Sequence, residues 1–549
     1  MAVKRKTASE RPKGPTSLTM RLFDPGMSPI HRAGLGGLAC TLKYIERAYR
    51  GGDLTDKEVP GGPWEKGKPP WEMTPLATTL HFGKPQAAES FLKRLFECSF
   101  SLKDSLIFLP GQHRGAPSTA VLAELQNGLV LSFLQHGKVR KLAKKETAIT
   151  YEVDGHQLQI ALKPCSGYKH QTGWKNLTSK GKLSNKPVEV VGPLSPGAVV
   201  RHVAFQGKTR IEEKCELVLP LYFSLVGCLA LPVNRGCGVL LVPEVADLEL
   251  FAKLRPWMTP GSVKECRIAG GSDAVLQAQI RLVASKLVQS SQLAGCHAMS
   301  FKPTPWASQQ KSRGEVLHVP PCEDTRLKQF EVALVELPPR IASKKPKQAK
   351  SRGRQSTGQP DRAECFWSDS VVRPMVADNL AQGRPWYQGF ADLMLKTDPA
   401  SKRPLRDRLV FEKGGLYAMI EKIPWEDHGE SAVVRAVHEA IRVRYGRIAS
   451  ENQGKPGTMK NRWRGEYDKW RLAFSGAKTV DQFRHSLCDL FGRAGINSVL
   501  REQWPDVLPM LDAGRWQLTR DLALLALASY KGKGADVIAG VTDAQAEEA

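Results

Sequence analysis

The sequence lacks the motifs on which many catalytic and metal sites are built. It contains no phosphate-binding P-loop, no His-Glu-x-x-His zinc motif and no Gly-x-Ser-x-Gly nucleophile motif. Its 11 cysteines form no Cys-x-x-Cys pair, and its 12 histidines are dispersed. Pro505-Asp506 resembles the start of a nuclease motif, but the downstream acid and lysine are missing. We therefore expect a binding protein rather than an enzyme, with no catalytic residue, no metal and no cofactor.

Long apolar segments are also scarce. The run Leu217–Val233 is uncharged for 17 residues, which is shorter than a typical membrane span of about 20 residues. Because it contains Pro220 and Pro232, the run predicts two buried strands joined by a turn. The first residues, MAVKRKTASE, are polar and basic and do not resemble a secretory signal. We therefore expect a cytoplasmic protein with free thiols and no membrane contact.

Acidic residues are outnumbered by basic ones. The chain has 55 Asp and Glu against 80 Lys and Arg, a net charge of +25. Residues 1–342 carry +17 of this charge, whereas residues 363–549 hold 27 basic and 25 acidic side chains. Basic side chains that lie on phosphates release condensed counterions, so the imbalance favours a nucleic-acid partner for the N-terminal part. A basic protein without such a partner is the alternative.

Segment 343–362, SKKPKQAKSRGRQSTGQPDR, separates two kinds of sequence. It has seven basic residues, one aspartate and no apolar residue larger than alanine, so it predicts a flexible linker. The fold class expected from the flanking patterns is an α+β N-terminal domain followed by an all-α helical bundle. The predicted ranges are a disordered basic arm at 1–20, the α+β domain at 21–342, the linker at 343–362, the bundle at 363–533 and a disordered tail at 534–549.

The spacing of apolar residues predicts the elements of the N-terminal domain. A helix is expected to begin near Pro29, and it contains Gly34, Gly36 and Gly37. Each glycine costs a helix about 1 kcal/mol relative to alanine, so another backbone or a ligand is expected to approach closely there. Further helices are predicted at Ala87–Phe100 and Ser272–Gln292, and strands at Leu76–Phe82, Ser105–Leu109, Leu129–Leu134, Ala148–Val153, Leu158–Leu162 and Leu317–Pro320.

After the linker the spacing is helical almost throughout. Thr479, followed by Gln482, predicts a capping box at the start of one helix. Residues 431–471 hold ten basic and four acidic side chains, which predicts a basic face on the bundle. Trp463 and Trp470 are expected to lie in the core. The candidate nucleic-acid contacts on this face are Arg435, Arg442, Arg444, Arg447, Arg462 and Arg464.

Segment Pro164–Pro187, PCSGYKHQTGWKNLTSKGKLSNKP, has no periodicity and no acidic residue. Lysines position phosphates, amides can recognise base edges and aromatic rings can stack on bases, so the segment predicts a DNA-binding loop. An ordinary solvated loop is the alternative. Its candidate contacts are Lys169, Gln171, Lys175, Asn176, Lys180, Lys182, Asn185 and Lys186. A second basic cluster with Lys138, Arg140 and Lys141 predicts backbone contact or a plain surface turn, and Gln112 and Arg114 are further DNA-binding candidates.

Two segments resemble a known family. SPIHRAGLGGLACTL (Ser28–Leu42) and, much later, GVLLVPEVADLELFAKL (Gly238–Leu254) are similar to the Cas8 large subunit of type I CRISPR surveillance complexes, in particular to the type I-B/Myxan-like branch. The two segments cover less than a tenth of the chain. The order of an α+β domain and a helical bundle, which is small-subunit-like in that family, extends the resemblance.

The resemblance implies a non-catalytic subunit of a guide-RNA complex, or Cascade. Such a subunit recognises the short flanking motif (PAM) on target double-stranded DNA, helps to open the duplex and supports the R-loop. Asn176 and Asn185 would then recognise the motif, and the basic face of the bundle would contact the displaced strand. The expected partners are the guide RNA, the target DNA, the backbone, guide 5′-end-binding and small subunits, and a helicase–nuclease or transposition adaptor. The family also suggests a separate small subunit translated from an internal start, for which Met375 is the candidate.

Two other functions fit the composition. A stand-alone basic protein could bind DNA or RNA with little sequence preference, and a divergent nuclease could lack recognisable motifs. A co-purifying guide RNA of fixed length would separate the complex subunit from the stand-alone protein. Metal-dependent cleavage by the isolated protein would favour the nuclease.

Overall fold

The structure is a computed structural model that describes residues 14–135, 139–190, 194, 211–234, 236–302, 313–344, 364–398 and 402–532. The chain forms two compact units. The first comprises Met1–Tyr151 and Gln159–Pro321, and the second comprises Glu152–Leu158 and Cys322–Ala549. This division lies at residues 321 and 322, upstream of the boundary at residue 342 that composition predicts.

The first unit mixes helices and short strands, as the sequence predicts. Its helices are α1 (Pro29–Arg50), α2 (Ala88–Ser99), α3 (Thr119–Leu131), α4 (Trp174–Leu177), α5 (Cys215–Gly227), α6 (Leu248–Met258) and α7 (Gly271–Ala284). The strands up to residue 319 are β1 (Ser17–Arg21), β2 (Trp71–Met73), β3 (Ala77–His81), β4 (Ser101–Lys103), β5 (Leu106–Phe108), β6 (Arg140–Leu142), β7 (Thr147–Val153), β8 (His156–Leu162), β9 (Cys165–Tyr168), β10 (Thr178–Ser179), β11 (Lys182–Leu183), β12 (Val188–Glu189), β13 (Glu212–Glu213), β14 (Leu229–Val233), β15 (Cys237–Pro243), β16 (Cys296–Lys302) and β17 (Arg313–Val319).

Helices α1 and α5 pack with their backbones in contact at the centre of this unit. A Cβ atom on Gly34 would lie well inside 3.0 Å of the Pro220 carbonyl oxygen, and one on Gly37 would clash in the same way with the Phe223 carbonyl. Gly227 of α5 approaches the Ala33 carbonyl equally closely. The glycines of α1 therefore serve helix packing, which is one of the two explanations that the sequence left open.

Arg255 is fully buried at the end of α5. Its guanidinium donates hydrogen bonds to the carbonyl oxygens of Gly227 (2.7 Å) and Cys228 (2.6 Å) and to the Thr259 hydroxyl (2.7 Å). The negative end of the α5 dipole and these acceptors compensate the buried cation. Burial nevertheless lowers the pKa of Arg255 to about 10.

A four-stranded antiparallel sheet in the order β14-β15-β16-β17 forms a second layer of the first unit. In its register Val242 pairs with His297, and His297 pairs with His318. Directly paired residues on antiparallel strands point to the same face of a sheet. These three side chains therefore share one face.

Three sequence predictions for the first unit were wrong in detail. Leu217–Val233 forms helix α5 and strand β14 instead of two strands, because an entirely apolar run has no periodicity that separates a buried helix from a buried strand. Leu129–Leu134 is the end of α3 and a turn, not a strand. The predicted basic arm reaches residue 20, yet β1 begins at Ser17 and buries Leu18. Residues 1–13 of the arm lie outside the described residues.

The second unit is mainly helical, as predicted. It contains α8 (Asp324–Glu336), β18 (Arg340–Lys344), β19 (Glu364–Ser368), α9 (Arg373–Ala381), α10 (Phe390–Leu395), α11 (Arg406–Leu409), α12 (Lys413–Lys422), α13 (His428–Glu451), α14 (Pro456–Gly476), α15 (Val480–Ala494), α16 (Ser498–Val507) and α17 (Trp516–Ser529). The run Phe330–Leu337, which the sequence assigned to the α+β domain, lies within and just after α8.

Helix α13 is the central helix of the second unit. Its Tyr445 is fully buried, stacks on Trp470 at 6.0 Å and donates a hydrogen bond to the Trp463 carbonyl. Both tryptophans are core residues, as predicted. At the start of α15 the Thr479 hydroxyl accepts a hydrogen bond from the Gln482 amide, which confirms half of the predicted capping box. The Gln482 side chain accepts from the Lys478 amide instead.

The predicted linker connects two paired strands. Strand β18 pairs antiparallel with β19, and Ser343 lies opposite Cys365. The first two residues of the predicted linker, Ser343 and Lys344, therefore belong to a strand. Residues 345–362 lie outside the described residues.

Over the described ranges, no helix combines the length and apolarity that a membrane span requires.

Candidate nucleic-acid interface

Segment Pro164–Pro187 is folded and is not the open loop that its lack of periodicity predicted. It forms β9, a short 3-10 turn, α4 and the β10–β11 hairpin. Tyr168, His170, Leu177 and Leu183 anchor it in the core of the first unit. The absence of periodicity reflects short elements, each too brief to show a repeat.

Strand pairing joins the two basic segments that lie apart in the sequence. Arg140 and Lys141 of β6 pair with Tyr168 and Gly167 of β9. The Arg140 guanidinium donates to the Val130 carbonyl at 3.0 Å, and burial lowers the pKa of this arginine. Lys141 is exposed. Lys138, the third candidate in this cluster, lies outside the described residues.

The segment presents several exposed cations. Lys141, Lys169, Lys175, Lys180 and Lys186 are exposed, and within the described ranges none of them forms an ion pair. We call these five side chains the lysine group. Lys180 lies at the tip of the β10–β11 hairpin, where it and Gly181 both have positive φ. Unpaired, exposed ammonium groups are available to phosphates without first breaking a salt bridge. Lys182 is half-buried and takes part in an interaction within the fold.

The amide side chains of this segment differ in how they are used. Gln171 accepts from the Tyr168 amide and donates to the Phe100 carbonyl. Asn176 donates to the Glu189 carbonyl at 2.9 Å and to the Tyr222 hydroxyl at 3.4 Å. Asn185 is exposed, and its side chain makes no hydrogen bond to the part of the chain that the structure describes. Among these three amides, Asn185 therefore has donor and acceptor both available.

A cavity of about 360 Å³ adjoins the lysine group. Lys169, Lys175, Asn176 and the fully buried His170 line it. Neither ring nitrogen of His170 has a hydrogen-bond partner among the described residues, and burial lowers the pKa of its imidazole to about 3. Tyr222 of α5 also lines this cavity. The sequence gave no signal for Tyr222, because it lies in an apolar run far from the basic segment.

The two further candidates lie elsewhere in the first unit. Gln112 is buried, and its amide donates to carbonyl oxygens at the end of α5, including that of Cys228 at 3.3 Å. This side chain serves the fold. Arg114 is exposed and lies over the Trp257 ring, 4.1 Å from its centroid. A guanidinium stacked on an aromatic ring keeps its edge donors available.

In the second unit, half of the candidate arginines are paired with acids. Arg442 makes two 2.7 Å hydrogen bonds to Glu439. Arg444 pairs with Glu466, and Arg462 pairs with Glu451 at 3.2 Å. The predicted basic face is therefore partly neutralised by local ion pairs.

The other three arginines have no acidic partner in the described part of the chain. Arg435 bonds to the Ser431 hydroxyl at 3.2 Å, and Arg447 donates to the Arg493 carbonyl at 3.3 Å. Arg464 is exposed and lies one helical turn from exposed Lys460, so both project from one side of α14. These cations are the available part of the predicted face.

Comparison with known proteins gives matches along most of the chain. Residues 19–222 match the DevT N-terminal domain, and residues 421–549 match the DevT C-terminal domain. The chain is 34% identical over 542 residues to the CRISPR-associated protein Cas8a1/Csx13 of Myxococcus xanthus (strain DK1622), covering 95% of this chain and 90% of that protein. Identity of this extent across both units confirms the family to which the two short segments pointed. The chain belongs to the Cas8 family of CRISPR-associated large subunits.

Proposed function

We propose that this Cas8-family protein is the large subunit of an RNA-guided type I effector complex, in which its first unit recognises the PAM duplex and helps to open target DNA. The observation that supports a DNA contact is the pairing of β6 with β9, which joins two basic segments whose exposed lysines lack ion pairs. Such cations bind phosphates by counterion release and position a protein on a duplex.

Within this proposal, the side chains have separate tasks. The lysine group anchors the phosphate backbone, with Lys182 and Arg140 as supporting positive charge. Asn185 recognises base edges, because an amide with free donor and acceptor can form a bidentate contact with adenine. Asn176 and Gln171 shape the surface through their hydrogen bonds, and only their remaining acceptor capacity faces a ligand. Arg114 supplies a second guanidinium contact to the duplex.

The second unit would contact the displaced strand. Arg435, Arg447 and Arg464 are the side chains for which this contact costs no local ion pair. Arg442, Arg444 and Arg462 would have to exchange a carboxylate for a phosphate, which reduces the net gain. The proposal keeps the small-subunit-like role for this bundle.

The proposed protein acts without catalysis, in the cytoplasm, and by assembly. Its partners are the guide RNA, target DNA, the backbone, guide 5′-end-binding and small subunits, and a recruited helicase–nuclease or transposition adaptor. Neither unit needs to supply a nucleophile or a cofactor for this role, because guide pairing specifies the sequence and recruited proteins perform the chemistry.

An internal start at Met375 is part of the proposal. Met375 lies in the first turn of α9, so the short product would lack α8. Backbone packing links α8 to α12 in the full chain, since a Cβ on Gly415 would clash with the Glu336 carbonyl. A short band on a denaturing gel that disappears in a Met375→Ala variant supports the internal start, whereas absence of the band from the parent contradicts it.

Co-purification tests the proposed function. The full chain is isolated by affinity from cells that express it together with its neighbouring CRISPR genes, and bound RNA is sequenced. We expect a ribonucleoprotein with guide RNA of one length. An RNA-free monomer that binds any duplex equally would contradict the proposal and favour the stand-alone DNA-binding protein. Metal-dependent cleavage of DNA by the isolated chain would contradict the non-catalytic role.

A further inference from the structure

Three metal-ligating side chains meet at one edge of the four-stranded sheet. His297 and His318 are direct partners on β16 and β17, with ring centroids 4.9 Å apart. Glu244 follows β15, and its backbone amide bonds to the Gly295 carbonyl at 2.9 Å. Because Glu244 lies two residues after Val242, which pairs with His297, the carboxylate and both imidazoles lie on the same face.

The distances between the ligating atoms fit a transition-metal ion. Glu244 Oε1 lies 3.1 Å from His318 Nε2 and 3.5 Å from His297 Nε2. Two ligands of a tetrahedral zinc ion, each about 2.0–2.1 Å from the metal, are separated by roughly 3.3 Å. One ligating atom from each of the three residues lies within 4.8 Å of the others. A modest adjustment of side-chain rotamers would therefore let all three bind one ion.

The surroundings suit an open site rather than a closed structural one. Glu244 and His318 are exposed and His297 is half-buried, so solvent reaches the site. Burial, followed by the neighbouring His318, lowers the pKa of His297, which keeps its imidazole in the neutral form that binds metals. The Arg32 guanidinium acts in the same direction on this pKa but repels a cation, and the Glu244 carboxylate opposes that repulsion.

We propose that Glu244, His297 and His318 bind a Zn²⁺ ion, with water in the fourth position. Two histidines and one glutamate are a known zinc ligand set when one position stays open. The ion would connect β16 and β17 to the turn after β15 and so fix the edge of the sheet. This site is independent of the lysine group and of the proposed DNA contact. Sequence spacing could not indicate it, because the three ligands are 53 and 21 residues apart and only strand register unites them.

Titration of the untagged, metal-free full chain with Zn²⁺ tests this proposal. We expect one equivalent to bind and the melting temperature to rise by about 5 °C at saturating metal. His297→Ala, His318→Ala and Glu244→Gln should each weaken binding at least tenfold. His81→Ala is the matched control, because His81 also lies on an antiparallel sheet beside a carboxylate, 3.9 Å from Glu72, and should bind as the parent does.

Co²⁺ distinguishes this site from the 11 free cysteines. Co²⁺ bound by nitrogen and oxygen ligands should give visible bands without the near-ultraviolet charge-transfer band of a thiolate. Glu244 is exposed, so Glu244→Gln reports on binding even if a histidine variant fails to fold. Absence of binding by the parent, a thiolate band, or unchanged affinity in Glu244→Gln and either histidine variant would overturn the proposal.

Discussion

Arg140 and Tyr168 lie directly opposite one another in the antiparallel pair of β6 and β9. This relationship brings a basic cluster near residue 140 against the acid-free segment that ends at Pro187. Neither segment alone distinguishes a DNA contact from a solvated surface. Together they concentrate positive charge on one part of the first unit, and the predictions below test what that charge does.

Asn185 and Asn176 should respond differently to replacement by alanine. We expect Asn185→Ala to weaken binding of the complex to DNA with the correct flanking motif by about 1–3 kcal/mol, with little change on other duplexes. Asn176→Ala loses its hydrogen bond to the Glu189 carbonyl and should lower the free energy of unfolding by about 1 kcal/mol. Filter binding to a set of flanking sequences and urea unfolding measure the two effects. Equal losses on every duplex from Asn185→Ala would remove its recognition role.

Alanine at Gly34 should destabilise the first unit, although alanine favours a helix. The new Cβ would clash with the Pro220 carbonyl, and forcing two helices apart costs typically 1–3 kcal/mol or more. Gly446→Ala in α13 is the control, because a Cβ there meets no atom within 4 Å. It should raise the free energy of unfolding by up to about 1 kcal/mol. A Gly34→Ala protein as stable as the parent in thermal unfolding would contradict the close helix contact.

Some of these features follow from the sequence and others do not. The start of α1, the glycine contact, the core position of Trp463 and the helical second unit all follow from local spacing. The helix at Leu217–Val233 does not, because an apolar run without polar interruptions has no period. The uses of Gln112 and Asn176 are also invisible in the sequence. Their partners, Cys228 and Glu189, are brought near by tertiary packing, and an amide that serves the fold has the same letter as one that binds a base.

Buried histidines should make the protein sensitive to acid. Burial lowers the pKa of His170 to about 3 and that of His113 and His438 to about 4, whereas an unfolded histidine has a pKa near 6.5. As the pH falls below 6.5, the unfolded chain binds protons that the folded chain does not. Stability is therefore fully present above pH 6.5 and is lost by about 1.4 kcal/mol per pH unit for each histidine, down to its folded pKa.

His170→Phe isolates one of these contributions. Aromatic rings of Phe100 and Tyr222 surround His170, at centroid distances of 5.7 and 5.8 Å, so phenylalanine suits the site. Urea unfolding at pH 7 and pH 5 should show a smaller pH dependence in this variant. His156→Gln, at an exposed position, is the control and should keep the parent's dependence. An unchanged pH dependence in His170→Phe would show that this imidazole is not held neutral by burial.

Two triple variants with the same charge change test the helical unit. Arg435, Arg447 and Arg464 have no acidic partner in the described ranges, so their replacement by alanine should weaken protection of the displaced strand by the complex. Replacement of Arg442, Arg444 and Arg462 should have a smaller effect on protection, because carboxylates already neutralise them. Permanganate footprinting of the displaced strand measures this difference. Equal protection by both variants and the parent would exclude this face from the strand path.

The salt dependence of DNA binding by the lysine group tests the central claim most directly. The affinity of the purified complex for target DNA is measured between 50 and 200 mM salt (about the range over which counterion release changes affinity most visibly), with Lys169, Lys175, Lys180 and Lys186 replaced by alanine. The control replaces Lys57, Lys68, Lys103 and Lys253, which are exposed on the same unit and remove the same charge. We predict weaker binding to every sequence and a slope of log affinity against log salt that is smaller by about 3–4 for the first variant only. Equal slopes for the two variants would contradict a DNA contact at the lysine group.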